Sequence, residues 1–281
     1  MRNRANRAGI MMSLVLVLAL VSPSYALETP ISPISPIGPI RSTAEIVEQQ
    51  SPSRGSQLEE IRLPDGRSLF THGPDPRPAH GEAELMVPDA TRPPVCATEN
   101  YQHILYGRPF FQPSRFEEVA PTLRAVVKYM NALLNKEAIE SGNVEADFKV
   151  LCDESGEIKI DEFVSTGVDY ISIFDAAYQA GYNNPTVNYS MFFDSNGGAF
   201  CGVGSYSQDD RPSQNNRNNQ GGGYALTYEP CWMGRAPLHE NGHNMGAVQP
   251  DAPYSTGSGA HCYEHRDVMC YSPDGGDKNQ T

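Results

Sequence analysis

Basic residues are scarce in this sequence. Its 281 residues include 21 Lys and Arg against 34 Asp and Glu, which gives a formal net charge of −13 at pH 7. No basic cluster appears after the first few residues, so nucleic acid and anionic membrane surfaces are poor partners. The acidic balance favours solubility but says little about the substrate.

The sequence also lacks an apolar run long enough to cross a bilayer comfortably. Residues 10–21 are apolar, but they follow three arginines and precede small residues up to Ala26, a pattern typical of a secretory signal. No adjacent arginine pair precedes the run, which favours the general secretory route over the twin-arginine route. We therefore expect residues 1–26 to be removed, the mature protein to be secreted, and no membrane span to remain.

A serine or cysteine nucleophile is not supported, because no GxSxG motif is present. The six cysteines of an exported chain are better explained as three disulfides than as reactive thiols. Six cysteines permit many pairings. The short loop between Cys262 and Cys270 makes this pair the safest assignment.

Proline recurs at every third residue in "TPISPISPIGPI", from Thr29 to Ile40, which predicts an extended, polyproline-like spacer. The composition stays rich in Pro, Gly, Ser and charge to about residue 90. We interpret residues 27–90 as a linker or pro-segment. This segment contains no cysteine, which excludes a thiolate from it as a metal ligand. A single compact domain is predicted for residues 91–281.

Helical and strand patterns alternate through the predicted domain. Apolar residues at helical spacing predict a long helix over roughly residues 115–140, beginning after Ser114. A second helix is predicted over residues 169–182, ending at Gly181. Strands are predicted in "HILYGRPFF", "FKVLC", "EIKI" and "VNYSMFF". This order predicts an α/β (α+β) fold of mixed layers.

The stretch "LHENGHNMGAVQPD" carries the strongest chemical signal in the chain. His239 and His243 are four residues apart, so in a helix both imidazoles leave the same face and can bind one metal ion. Glu240 lies about 100° further round the helix, where a general base can reach a metal-activated water. Pro237 and Gly246 mark a short helix of about two to three turns. Gly242 inside it costs roughly 1 kcal/mol relative to alanine, so something other than helix propensity placed it there, and close approach of another backbone is one reason.

"HENGHNMGAVQ" resembles the zinc-binding signature HExxHxxGxxH of the metzincin metalloendopeptidases, and "DVMCY" resembles their methionine turn. The combined stretch is similar to that of a group of secreted bacterial proteins predicted to be metalloproteases. The close match covers residues 239–271. The resemblance implies a twisted mixed sheet with long helices, a zinc-motif helix and a small carboxy-terminal part that contains the methionine turn. It also implies that Met269 lies beneath the zinc and that Tyr271 steadies the oxyanion or ligates the metal.

The sequence departs from this signature at the third ligand, where Gln249 stands. A neutral amide is a weak zinc ligand, since zinc prefers imidazole, thiolate or carboxylate. His261 is the best substitute, because Cys262 follows it and the expected disulfide would tie it beside Met269. Asp251 is a weaker candidate. The remaining residues have other expected roles: solvent exposure for His265, support of a ligating histidine for Asp267, and structural roles for His72, His80 and His103.

These residues predict a secreted zinc metalloendopeptidase that hydrolyses peptide bonds by metal-activated water, with Glu240 as the general base. The alternative is a secreted, non-catalytic binding or envelope-associated protein with a structural zinc site. Gln249 favours the alternative, whereas Glu240 argues against it, because a closed structural site needs no base. Hydrolysis of a non-protein amide is a third interpretation that the sequence does not separate from the first.

The expected cofactor is one catalytic Zn²⁺, and the expected partner is a protein or peptide substrate in a cleft beside the motif helix. We expect a monomer. Asp209 and Asp210, in the polar loop "SQDDRPSQNNRNNQGGG", could also bind calcium. A solvated surface loop is the simpler interpretation, since the ligand spacing of an EF-hand is absent.

Overall fold

The computed structural model describes most of the chain from residue 58 onward. The described ranges are 58–77, 92–142, 144–219, 222–256, 260–263 and 267–270. The predicted signal sequence, the proline repeat, His80, His265 and Tyr271 lie outside the described residues. The fold is a mixed α/β arrangement of a mixed sheet and helices, as the sequence predicts.

The protein is built on an eight-stranded sheet. Its strands are β3 (Asp75–Pro76), β4 (Val95–Cys96), β5 (Gln102–Pro109), β6 (Lys149–Val150), β7 (Ile160–Ser165), β8 (Asn188–Phe193), β9 (Phe200–Gly204) and β10 (Tyr224–Tyr228). They follow the order β3-β9-β10-β8-β5-β6-β4, and β7 also pairs with β5. Strand β9 runs antiparallel to both of its neighbours, whereas the pairs that β5 and β8 form are parallel.

Strand β5 is the centre of the sheet. It pairs in parallel with β8 and with β7, and Ile104 lies opposite Ser190 on one side and Ile160 on the other. A strand buried on both faces reads as a continuous apolar run, which matches "HILY" in its middle. Its neighbouring residues point to opposite faces, so Leu105 and Ile104 enter two different cores.

The described residues contain α1 (Phe116–Gly142), α2 (Tyr170–Gln179) and α3 (Ala236–Asn244). Helix α1 begins where the backbone N–H of Phe116 donates to Ser114 Oγ, 3.1 Å away. Asp169 caps α2 by accepting from the backbone N–H of Ser172 at 2.9 Å. Both predicted helices are therefore confirmed, with the expected ends shifted by only a few residues.

Two apolar cores lie on opposite faces of the sheet. Val119, Leu123 and Val127 of α1 pack against one face, together with Leu238 of α3. The other core contains Ile173, Phe174 and Ala177 of α2. Burying these residues on both faces fixes the sheet between the helices and leaves α3 packed against β9 and β10.

The segment 58–77, which the composition assigns to the linker or pro-segment, is folded onto the domain. Strands β1 (Glu59–Arg62) and β2 (Ser68–Thr71) form an antiparallel hairpin. Its buried residues Ile61, Leu63 and Leu69 belong to the α2-side core. The chain then continues into β3 at the edge of the sheet. At least this part of residues 27–90 is a packed element, because its apolar residues complete a core face.

Three disulfides hold the domain, as predicted from its six cysteines: Cys96–Cys152, Cys201–Cys231 and Cys262–Cys270. The predicted Cys262–Cys270 pair is confirmed. Cys201–Cys231 joins β9 to the one-turn helix that precedes α3. None of the helices formed by the described residues is long and apolar enough to span a bilayer.

Candidate metal centre

Helix α3 places two motif histidines against each other. The Nε2 atoms of His239 and His243 are 2.9 Å apart, and both side chains are buried. All residues from Pro237 to Asn244 are buried, because the helix is enclosed by the sheet on one side and by the carboxy-terminal segment on the other. The two imidazoles thus share one interior point, as their spacing predicts.

Backbone carbonyls fix the orientation of both rings. His239 Nδ1 lies 2.8 Å from the carbonyl oxygen of Val268, and His243 Nδ1 lies 2.9 Å from that of Ala247. A carbonyl only accepts hydrogen bonds, so Nδ1 carries the proton in each ring and Nε2 faces the partner ring. Outer hydrogen bonds of this kind orient imidazoles that ligate metals.

His261 joins the pair from the carboxy-terminal segment. Its Nε2 lies 3.2 Å from His239 Nε2, and the residue is buried. Cys262 follows directly and is bonded to Cys270, which holds this segment near Met269. The structure therefore places His261 where the sequence analysis expected a third ligand.

Two further side chains reach the cluster from the segment 58–77. His72 Nε2 lies 2.9 Å from His243 Nε2, and Asp75 Oδ2 lies 3.0 Å from His239 Nε2. Asp75 Oδ1 is also 3.4 Å from His261 Nε2. The sequence analysis missed both residues and assigned a structural role to His72. No spacing rule could have found them, since Asp75 is 164 positions away from His239.

The donor set suits a metal cation better than a proton. His239 Nε2 faces Asp75, His243 and His261 within 3.2 Å, and one N–H can point well at only one of these acceptors. A central cation meets them all. Zinc ligands about 2.0–2.1 Å from the ion lie roughly 3 to 3.5 Å from one another. Four neighbouring pairs of donors, 2.9 to 3.4 Å apart, match that spacing, whereas His243 Nε2 and Asp75 Oδ2 are 3.9 Å apart.

Burial keeps imidazoles of the cluster neutral, as metal binding requires. It lowers the pKa of His72 to about 4 and holds the pKa of His243 well below its usual 6.5. Burial also opposes ionisation of Asp75. Its contacts with the imidazoles of His239 and His261 outweigh this effect and hold the pKa of Asp75 well below its usual 3.8. The cluster therefore offers neutral imidazoles at His72 and His243 and a carboxylate at Asp75.

Glu240 is fully buried beside this cluster. Among the described residues, neither of its carboxylate oxygens has a hydrogen-bond partner. Burial, together with the negative charge of Asp75, raises the pKa of Glu240 well above its usual 4.5. A buried carboxylate to which no group donates a hydrogen bond is costly, so it marks a functional group more readily than a structural one.

Met269 explains the glycine inside the motif helix. A Cβ atom on Gly242 would overlap the Sδ atom of Met269, which is buried under α3 beside the disulfide Cys262–Cys270. The sequence analysis expected another backbone near Gly242, whereas the structure places the side chain of Met269 there. Gly246, with φ of 89°, then ends the helix in the left-handed region and leads to Ala247, whose carbonyl holds His243.

The other candidate residues have different surroundings. Gln249 donates from Nε2 to the carbonyls of Ser207 and Gly246 at 3.1 and 2.8 Å, and its Oε1 lies 3.3 Å from Tyr206 Oη. Its amide thus stabilises the turn after α3. This role differs from that of a metal ligand, which the sequence analysis considered for Gln249. Asp251 and Asp267 are exposed. Asp267 accepts from the backbone N–H of Met269 at 2.8 Å and so shapes the methionine turn.

The acidic loop and His103 have structural partners. Asp209 accepts two hydrogen bonds from the guanidinium of Arg211, at 2.7 and 2.6 Å, and a third from the backbone N–H of Arg217 at 2.9 Å. These bonds occupy the carboxylate that the sequence analysis considered for calcium. His103 Nε2 lies 2.8 Å from Asp161 Oδ2, which agrees with the structural role expected for it.

Comparisons with known proteins leave the family open. No known protein family matches the sequence, and no curated protein is significantly similar to it. The crystal structure of wild-type OgpA from Akkermansia muciniphila matches with a TM-score of 0.34 and 14% identity. The match covers 56% of this chain and spans about half, 52%, of that chain. A similarity at this level carries no functional argument, so the site is interpreted from its own chemistry.

Proposed function

We propose that this protein is a secreted zinc-dependent metalloendopeptidase of the metzincin type, with His239, His243 and His261 as zinc ligands and Glu240 as the general base. One observation carries the proposal. Three buried imidazoles converge beside a fully buried carboxyl group that accepts no hydrogen bond from the described residues. Structural zinc sites need the converging imidazoles, whereas hydrolytic sites need both the imidazoles and a carboxyl group that acts as the base.

The donor types favour zinc over calcium. Imidazole nitrogens with one carboxylate are suited to zinc, whereas calcium takes six to eight oxygen ligands in proteins. Zinc, when bound, would lower the pKa of a coordinated water and polarise a peptide carbonyl. Glu240 would take the proton from the attacking water and pass it to the leaving amine. Met269 would support the histidines from beneath, through its contact with Gly242.

Secretion is part of this proposal. The three disulfides support an oxidising compartment, in agreement with the signal pattern at the amino terminus. A protein or peptide substrate is the expected partner, and the acidic charge argues against nucleic acid.

A second function is supported by a specific observation. His72 and Asp75 also reach the cluster, and five protein donors would close the coordination of one zinc ion. A closed site is typical of structural zinc. On this second proposal the protein binds a partner and hydrolyses nothing, and Glu240 has no chemical role.

The deciding experiment compares wild type with Glu240→Gln, a substitution of nearly the same shape. Zinc content and cleavage of an unfolded protein are measured with and without a chelator. Both assays are repeated with Asp75→Asn, which frees one donor position. Before chelator treatment we expect about one zinc per chain in every variant. Cleavage should be abolished by the chelator, restored by zinc, and absent from Glu240→Gln in either background. Bound zinc without cleavage in any chain would favour the structural site.

A further inference from the structure

The motif helix α3 meets the sheet through polar side chains. A helix that packs on a sheet normally buries an apolar stripe against it. On its sheet side α3 instead carries Asn241 and Asn244, which are only 1% and 4% exposed. Burying an amide is costly unless it is hydrogen-bonded. The partners of these two amides therefore show how the helix is held.

Asn241 attaches the middle of α3 to strand β8. Its Nδ2 donates to Ser190 Oγ at 3.0 Å, and to the carbonyl of Pro237, one turn earlier in the same helix, at 2.6 Å. Ser190 is itself buried within β8. This hydrogen bond ties α3 to an interior strand of the sheet at the residue that directly follows Glu240.

Asn244 attaches the end of α3 to two further strands. Its Nδ2 donates to the carbonyl of Ser205, 2.8 Å away, and lies 3.1 Å from the carbonyl oxygen of Tyr224. Ser205 directly follows β9 and Tyr224 begins β10, and the Ser205 backbone N–H donates to the Tyr224 carbonyl at 2.8 Å. One amide, next to His243, thus binds β9 and β10 where they pair.

Glycines let the backbone of α3 lie directly on these strands. A Cβ atom on Gly204 of β9 would overlap the carbonyl oxygen of Glu240 and the Cβ atom of His243. A Cβ atom on Gly223, just before β10, would overlap the side-chain amide of Asn244. Large apolar side chains are therefore excluded from this contact. Hydrogen bonds, which are directional, take the place of interlocking side chains there.

We propose that Asn241 and Asn244 are positioning residues, which fix the depth and the rotation of α3 on the sheet and thereby direct His239, His243 and Glu240. This inference rests on the proposed zinc site and its hydrolytic function. The three functional side chains leave two turns of one helix, so any rotation of α3 moves them together. A displacement of about 1 Å can cost a hundredfold in rate. The need for one orientation accounts for buried amides at this contact.

The test uses the full chain as wild type, Asn241→Leu, Asn244→Leu and Ser190→Ala. Leucine has nearly the shape of asparagine but forms no side-chain hydrogen bonds, and Ser190→Ala removes only the hydroxyl that Asn241 contacts. Asn135→Leu is the matched control, because Asn135 is a buried amide on α1 that donates to the carbonyl of Ala146 at 3.1 Å.

Three properties are measured besides activity. Competition with a chelator gives the zinc affinity, Co²⁺ substitution gives a visible spectrum that depends on coordination geometry, and urea unfolding gives the stability of the metal-free chain. The kcat and KM for cleavage of an unfolded protein are then measured with the zinc-loaded forms.

We expect Asn241→Leu and Asn244→Leu to weaken zinc binding by roughly tenfold or more, the scale on which outer partners of zinc ligands act. Their Co²⁺ spectra should change, and kcat should fall by about tenfold or more with little change in KM. Ser190→Ala should act in the same direction but less strongly, and adding it to Asn241→Leu should change nothing further. Asn135→Leu should lose stability alone.

Three outcomes would overturn the positioning role. These are leucine variants with the zinc affinity and Co²⁺ spectrum of wild type, a loss of zinc that parallels lost stability equally in Asn135→Leu, and zinc-loaded variants that cleave as fast as an active wild type. If a leucine variant does not fold, Ser190→Ala decides, since it removes a single hydroxyl.

The same measurements separate this inference from the proposed function. Weaker zinc binding and changed spectra, with no cleavage by any protein including wild type, would uphold the positioning of α3 and reject the proteolytic function. A wild type that binds no metal would reject both.

Discussion

At the scale of single residues, the geometry of the metal cluster depends on the groups that hold each ligating histidine in place. His239 and His243 have their Nδ1 atoms bound by backbone carbonyls, and His261 is held by the neighbouring disulfide. The rings are therefore oriented before any ion arrives. Such preorganisation reduces the entropy lost on binding.

The third ligand can be settled by comparing His261→Ala with Gln249→Ala. Removing an imidazole from the cluster should weaken zinc binding by roughly tenfold or more, as even outer partners of zinc ligands contribute on that scale. Gln249→Ala should retain zinc, because its amide bonds to Ser207, Gly246 and Tyr206. Competition with a chelator of known affinity measures the zinc affinity of both variants. A larger loss in Gln249→Ala would place the amide on the metal.

Gly242→Ala should destabilise the protein although alanine is the better helix former. The new Cβ would overlap Met269 Sδ, and such overpacking typically costs about 1–3 kcal/mol. Denaturant unfolding measures the change. In a Met269→Ala background the cost should shrink, since the obstructing atom is gone. Gly142→Ala is the control, because its Cβ would meet only Val144, at 4.0 Å. Equal effects at both glycines would reject the contact with Met269.

The residue scale also shows where sequence reasoning stops. Short spacing places His239, Glu240 and His243 on one helix, so a local pattern is enough to find them. His72 and Asp75 reach the same point only through the tertiary fold. Their own neighbourhood, rich in Pro and Gly, has a composition typical of a linker.

At the scale of elements, helices were easier to predict than strands. Helix α1 has a long apolar stripe, which its periodicity reveals. Strands β9 and β10 were not predicted from the sequence. In β9, Gly202 and Gly204 weaken the strand signal, and both are required because a Cβ at either position would meet Glu240 or His243 of α3. "EIKI" was also placed too early, since β7 is Ile160–Ser165.

The chain just before β4 is held by an ion pair whose contribution to stability should depend on pH. Arg92 donates to both carboxylate oxygens of Asp147, at 2.6 and 2.7 Å. These hydrogen bonds lower the pKa of Asp147 below its usual 3.8. The stabilisation is therefore present above the unfolded-state pKa and is lost as pH falls through the lower folded-state pKa.

Asp147→Asn should accordingly reduce the free energy of unfolding at pH 7, and the difference from wild type should shrink as the pH falls below about 4. Urea unfolding at several pH values measures this dependence. Asp175→Asn, on an exposed position of α2, is the control and should behave like wild type. A difference that stays constant with pH would show that the carboxylate charge contributes nothing.

At the scale of the whole molecule, the metal would join three distant parts of the chain. The donors come from the segment 58–77, from α3 and from the carboxy-terminal segment around His261. A ligand that binds only the folded state stabilises whatever it connects. The cluster should therefore couple the order of these parts.

Metal removal should loosen these parts together. Hydrogen–deuterium exchange, with and without a chelator, should show faster exchange at the backbone N–H groups of Arg77 and Cys270, while β5 stays protected in the sheet centre. In His239→Ala the chelator should change nothing further. Faster exchange spread evenly over the sheet would indicate global destabilisation, and no change at all would show that the cluster does not depend on a metal.

The positions of two disulfides suggest the order in which the disulfides and the metal cluster form. Cys201–Cys231 closes the chain around β10 just before the motif helix, and Cys262–Cys270 encloses the segment between His261 and Met269. Two of the three disulfides therefore lie on either side of the ligands in the sequence: one precedes α3, and the other follows His261. A reduced chain would lack both of these bonds, so we expect metal binding to follow their oxidation.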